Sequence, residues 1–163
     1  KQVFKLKNHL IIIGEFNEVI FLLGIILGLL AGILMSVQGV FNTKVMEASN
    51  MWATNTWVHL NAFLVSLLIW FGKKDGSLGS VFDVENKVYL LGGIIGALIT
   101  FTVIKSIGGL GPIYATMLIL IAQLLTSGII EAFGFFGTEK IPFEWRKVIG
   151  VGLMLLGIIL FRK

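Results

Sequence analysis

The sequence predicts an all-α, multi-pass integral membrane protein with five transmembrane helices, on three observations. Five apolar stretches, at about Val19–Phe41, Trp52–Phe71, Val88–Ile104, Gly111–Phe136 and Val148–Phe161, occupy most of the 163 residues. Most of them approach the roughly 20 residues that cross a bilayer. Composition agrees: 56% of residues are hydrophobic and 13% are charged, where a soluble domain carries about 25% charged residues, and mean hydropathy is +0.95. Hydrocarbon supplies no water to backbone N–H and C=O groups, so each stretch must satisfy its own hydrogen bonds as a helix.

In chain order, residues 1–18 form a short basic amphipathic segment whose Phe4, Leu6 and Leu10–Ile13 suit the headgroup region. Glu15 and Glu18 interrupt it and a full-length span follows, so it does not read as a cleaved signal peptide. Residues 19–163 form the five-helix transmembrane domain. In helix one, Gly24, Gly28 and Gly32 are spaced by four, which lets another helix approach closely where lipid removes the hydrophobic drive. Gly92 and Gly96 repeat the device in helix three. The connection from Gly72 to Lys87 is turn-rich and carries both charge signs, as an aqueous loop should. Gly108, Gly109, Gly111 and Pro112 end helix three and start helix four. Pro142 is expected to open helix five, with Trp145, Arg146 and Lys147 as interfacial anchors.

An odd number of spans puts the termini on opposite sides. Nine of the 13 Lys and Arg residues then fall on the amino-terminal side, which favours a cytoplasmic amino terminus. Without the tail lysines Lys1, Lys5 and Lys7 the bias is small, and dual topology stays open. The net charge of +4 sits mainly in loops and at ends, which suits a membrane surface, and no nucleic-acid partner is expected. The chain has no cysteine, so disulfides and thiolate metal sites are excluded.

Polar residues within the spans need a bundle interior or a water-filled cavity. On helix two, Trp52, Asn55, His59, Phe63, Ser66 and Trp70 share one face, and Thr54, Trp57 and Asn61 form a second. Rings and amides together suit a small organic solute, by burying its apolar surface while offering donors and acceptors without fixed charge. Trp57, His59 and Asn61 are equally readable as interhelical partners. Helix four sets Thr116, Gln123, Ser127 and Gly134 on one face, with Glu131 about 80° from Gln123 at 100° per residue. His59 and Glu131 are the proton-coupling candidates, His59 because imidazole titrates near neutral pH and Glu131 as the one carboxylate well within an apolar run; the alternative readings are a neutral hydrogen-bonding histidine and a carboxylate hydrated near the membrane boundary. His9 is the only other histidine, so no metal site is expected, nor any cofactor. No nucleophile elbow, Walker-type loop or acid pair is present, and an enzyme is not expected.

Four stretches resemble the YdcZ-type "transporter family-2" proteins of the drug/metabolite transporter superfamily: GLLAGILMSVQGVFN at Gly28–Asn42, LGGIIGA at Leu91–Ala97, AQLLTSGIIEAFGFFG at Ala122–Gly137, and RKVIGVGLMLLGIILF at Arg146–Phe161. Ala122 and Glu131 stand where the family commonly has Gly and Asp. The resemblance implies a unit similar to one half of a ten-helix transporter built from two inverted five-helix repeats around a central cavity. It implies an antiparallel dimer in the cell membrane, with a second copy or a homologous subunit, and a cavity faced by Gln38, Asn42 and Gln123. The expected function is a secondary transporter, an exporter of a small organic metabolite by alternating access, with Gln38, Asn42, Trp57, Asn61 and Gln123 on the solute. The rivals are a small dimeric ion channel, which needs a continuous polar stripe, and a membrane partner subunit that moves no solute.

Overall fold

The computed structural model describes residues 2–73, 76–142 and 144–161, and for residues 2–17 the helical backbone alone. It is built of α-helices and short 3₁₀ turns: α1 (Gln2–Ala48), α2 (Met51–Lys73), α3 (Gly92–Leu110), α4 (Pro112–Phe133) and α5 (Trp145–Phe161). Chain contacts divide it into two units, Lys1–Gln38 and Gly39–Lys163. The first is helical throughout its described residues. The second holds the last turns of α1 and all four other helices, with α2 on α3, α3 on α4 and α4 on α5.

Among the described residues, four segments are long and apolar enough to cross a membrane: Glu18–Ala48, Met51–Lys73, Lys87–Leu110 and Pro112–Phe133. The expected fifth stretch is helical but holds 17 residues, so four of the five expected spans have membrane-crossing length and the fifth is a shorter helix. Pro142 does not open α5. It lies in the irregular stretch before the helix, which starts at Trp145. The expected boundary glycines also shift, because Gly108 and Gly109 continue α3 to Leu110. The turn is made by Gly111 at φ 81°, followed by Pro112 in the first turn of α4, where its missing N–H is no loss. The far end of α4 comes at Phe133 rather than Phe136. Gly134 adopts the left-handed conformation at φ 68° and its N–H returns to the Glu131 carbonyl, the usual glycine stop for a helix.

The other connections are closed by side chains. Asn50 caps α2, its Oδ1 accepting from Ala53 N at 2.9 Å. Between α2 and α3, Ser77 and Asn86 cap the 3₁₀ turns Leu78–Asp83 and Lys87–Leu91 by accepting from Gly79 N and Val88 N.

The fully buried set is small: Ile104, Ala115 and Thr54 at 0% exposure, with Ile107, Ile121 and Ile158 nearly so. Large apolar side chains such as Phe21, Leu68 and Leu160 stand more than two-thirds exposed, a surface that water would penalise and hydrocarbon accommodates. Gly39 is where the end of α1 meets α3: a Cβ there would stand 2.6 Å from Ile107 Cδ1 and 3.5 Å from Val103 Cγ1. Gly39→Leu is expected to cost about 1–3 kcal/mol by overpacking. Gly109→Leu, where a Cβ meets nothing within 4 Å, should leave the unit stable by comparison. Thermal unfolding in detergent checks both, and equal losses would contradict this packing.

Candidate functional site

Gly111 alone joins α3 to α4 and residues 134–144 join α4 to α5, the three helices pack in that order, and two grooves form along α4. The first, between α3 and α4, has a volume of about 630 Å³ and is lined by Thr102, Ser106, Gln123, Thr126 and Ser127 among apolar side chains such as Ile99 and Leu118. It holds no charged residue. Thr102 Oγ1 is used locally, donating to the Leu98 and Ile99 carbonyls. Gln123 forms no side-chain hydrogen bond among the described residues, so its amide offers two donors and an acceptor to a guest.

The second groove, between α4 and α5, has a volume of about 560 Å³ and walls that include Leu124, Leu125, Val151 and Met154. At one end Lys147 Nζ donates to Glu131 Oε2 at 3.0 Å, with the side chains 41% and 42% exposed. The connection between the helices is tied back at the same place, where Ile141 N donates to the Glu131 carbonyl at 3.1 Å. Ser127 lines both grooves. Gln123, Ser127 and Glu131 recur every four residues, so each neighbours the next along α4 while the row turns about 40° per step, from the α3 groove at Gln123 to the α5 groove at Glu131.

A separate polar contact joins α2 to α3. Asn55, 4% exposed, donates from Nδ2 to the Ala97 carbonyl at 2.9 Å, and its buried Oδ1 has no partner among the described residues. One turn on, His59 Nδ1 bonds the Asn55 carbonyl at 2.9 Å, and its Nε2 lies 3.5 Å from where a Gly96 Cβ would be. Trp52 stacks on Phe101 with ring centroids 5.4 Å apart. At that distance a Cβ at Gly96 would be in ordinary contact with the imidazole.

Of the candidates drawn from sequence, Gln123 and Glu131 fall on one stripe of α4. Trp57, Asn61 and the half-buried Asn42 line neither groove. Trp57 is 57% exposed and Asn61 Nδ2 donates to the Trp57 carbonyl within α2. Gln38 is exposed at the end of the first unit. A Cβ added at Gly24, Gly28, Gly32 or Gly92 would meet nothing within 4 Å, whereas one at Gly96 would meet His59. Sequence reasoning missed Lys147 as the partner of Glu131, taking it for an interfacial anchor. Opposite charges in the last turn of one apolar helix and the first turn of the next were the available signal. It also passed over Ser106 and Thr126, which have no mark beyond their polarity.

Among the described residues, long apolar helices with exposed apolar faces fit an integral membrane protein. The family model DMT_YdcZ, described as "Putative inner membrane exporter, YdcZ", matches residues 23–160, and the chain belongs to that family. Its description is that of an exporter, not of an enzyme class. Neither the curated proteins nor the solved structures contain a match.

Replacing Asn55 by Leu removes one interhelical bond and one unpartnered oxygen together, so the expected loss is about 0.6 kcal/mol or less. Asn55→Asp should be worse than Asn55→Leu, because a carboxylate cannot donate to the Ala97 carbonyl and buries a charge. Thermal unfolding of the two variants checks the order, and the reverse order would contradict the contact.

Proposed function

We propose that the protein is a secondary exporter of a small organic metabolite and that the uncharged groove between α3 and α4 is part of its solute path. The observation that carries this reading is the Gln123 amide, unbonded among the described residues and set among hydroxyls in an otherwise apolar groove. In hydrocarbon such an amide is costly unless a guest, water or another helix meets it. Membership of an exporter family favours the guest.

The working unit in this reading is an antiparallel dimer of two five-helix units, with identical or homologous partners. α5 counts as the fifth span: 17 residues reach about 25 Å at 1.5 Å per residue, the short end of what crosses a bilayer. Five spans permit an inverted pair around a midplane site and alternating access between its two sides. The amino terminus is placed in the cytoplasm by the Lys and Arg bias, with dual insertion as the variant that supplies the inverted copy from one gene product. Gln38, Asn42, Trp57 and Asn61 join Gln123 on the solute only in that assembly, and Gly24, Gly28 and Gly32 pack its helices. Proton coupling is assigned to Glu131, since protonation would release Lys147. His59 is held by its bond to the Asn55 carbonyl.

Proteoliposomes loaded with a mixed metabolite pool test the reading. Saturable, gradient-dependent movement of an organic solute is expected, with Gln123→Leu reducing it about tenfold or more, the loss of roughly one good hydrogen bond to the solute. Ion flux with no solute movement would replace the exporter by a channel. Unchanged transport in Gln123→Leu would remove the groove from the path.

A further inference from the structure

The α4–α5 groove combines a long apolar trough with one positive and one negative group at a single end. Seven residues separate Leu124 from Glu131 on α4 and Lys147 from Met154 on α5, so the apolar walls run about 10 Å away from the ion pair along both helices. The volume of about 560 Å³ is that of a small-molecule site. Among the described residues this is the one ion pair that joins two helices, the other being Lys44 with Glu47 within α1.

We propose that this groove binds a zwitterion, an α-ammonium carboxylate with an apolar side chain. The ligand carboxylate takes Lys147 Nζ, its ammonium takes the Glu131 carboxylate, and its side chain lies along Leu124, Leu125, Val151 and Met154. Charge complementarity selects this class. A singly charged ligand would pair with one of the two groups and strand the other, which is penalised wherever water is partly excluded. A zwitterion exchanges one ion pair for two.

The resident pair is suited to being opened. Its side chains are about two-fifths exposed, and ion pairs that wet add little to stability. Each group also keeps capacity beyond the single bond between them: a lysine ammonium has three donors and a carboxylate two acceptor oxygens. The apolar walls disfavour a sugar or a nucleotide, whose hydroxyls would meet no polar side chain beyond the ion pair except Ser127. Ser127 borders both grooves, one turn from Glu131 and one turn from Gln123, so a ligand seated on the pair lies two turns, about 12 Å, from the Gln123 amide. The inference deepens the exporter reading by naming a substrate class, and rests on that reading only for transport, not for binding.

Binding is therefore tested on the purified full chain in detergent, by the thermal stabilisation that leucine and phenylalanine produce. Leucine amide lacks the carboxylate and N-acetyl-leucine the ammonium, and each should bind about tenfold more weakly, the loss of one charge-assisted bond. Glu131→Gln and Lys147→Met should weaken leucine to a similar degree. The exchanged variant Glu131→Lys with Lys147→Glu keeps the pair and should keep most of the binding, which guards against variants that fail to fold. Leucine binding that survives Gln123→Leu while transport is lost would uphold this site independently of the transport step. Equal stabilisation by leucine and its two derivatives, or no effect of either single substitution, would overturn the proposal. So would stabilisation by phosphatidylethanolamine but not by leucine, since the groove would then be holding the same charge pattern on a lipid.

Discussion

Hydrocarbon cannot hydrogen-bond, and the placement of nearly every polar group in this chain follows from that single constraint. Thr43, Thr54, Thr102 and Asn61 each donate to the carbonyl four residues back in the chain, and His59 is bonded to the Asn55 carbonyl at the same spacing. These side chains are satisfied without a neighbouring helix. Among the described residues, side-chain bonds between helices are a short set, Asn55 with the Ala97 carbonyl and Glu131 with Lys147, and the amide of Gln123 is left unbonded. In a soluble protein such groups would be lost among many, whereas here they mark where the helices meet something other than lipid.

The same constraint explains why the helices were legible in sequence and their ends less so. Apolar runs such as Trp52–Phe71 match helices because lipid demands both length and hydrophobicity. Ends are decided instead by backbone conformation. Gly108 and Gly109 stay helical because the chain does not turn until Gly111, whose φ of 81° suits glycine, and Gly134 stops α4 before the apolar Phe135 and Phe136. Composition cannot distinguish a glycine within a helix from one that ends it. Helix α1 extends well beyond its apolar run in both directions, since polar residues adopt helix as readily outside lipid as apolar ones do within it.

The candidate site was half legible for a related reason. Gln123 and Glu131 could be singled out because amides and carboxylates are rare in such helices. Their setting could not, because it depends on which helices flank α4. Lys147 looks like any cation at a membrane surface until α5 folds back beside α4 and puts it 3.0 Å from Glu131. Residues Trp57 and Asn61 were chosen by chemical type, and their exposure on α2 fits a role only where a second subunit covers them. Small polar residues such as Ser106 and Thr126 gain meaning from the groove rather than from their spacing.

The central claim is that the stripe of Gln123, Ser127 and Glu131 faces a water-accessible path while the opposite side of α4 faces lipid. The chain contains no cysteine, so single cysteines can be placed without removing any native one. The most direct measurement is labelling of Gln123→Cys, Ser127→Cys and Ile129→Cys in intact membranes with a water-soluble maleimide. The account predicts rapid labelling at 123 and 127 and little at 129, where Ile129 is half exposed yet lines neither groove. Labelling at 129 as fast as at 123 and 127, or none at any of the three in the folded protein, would contradict it.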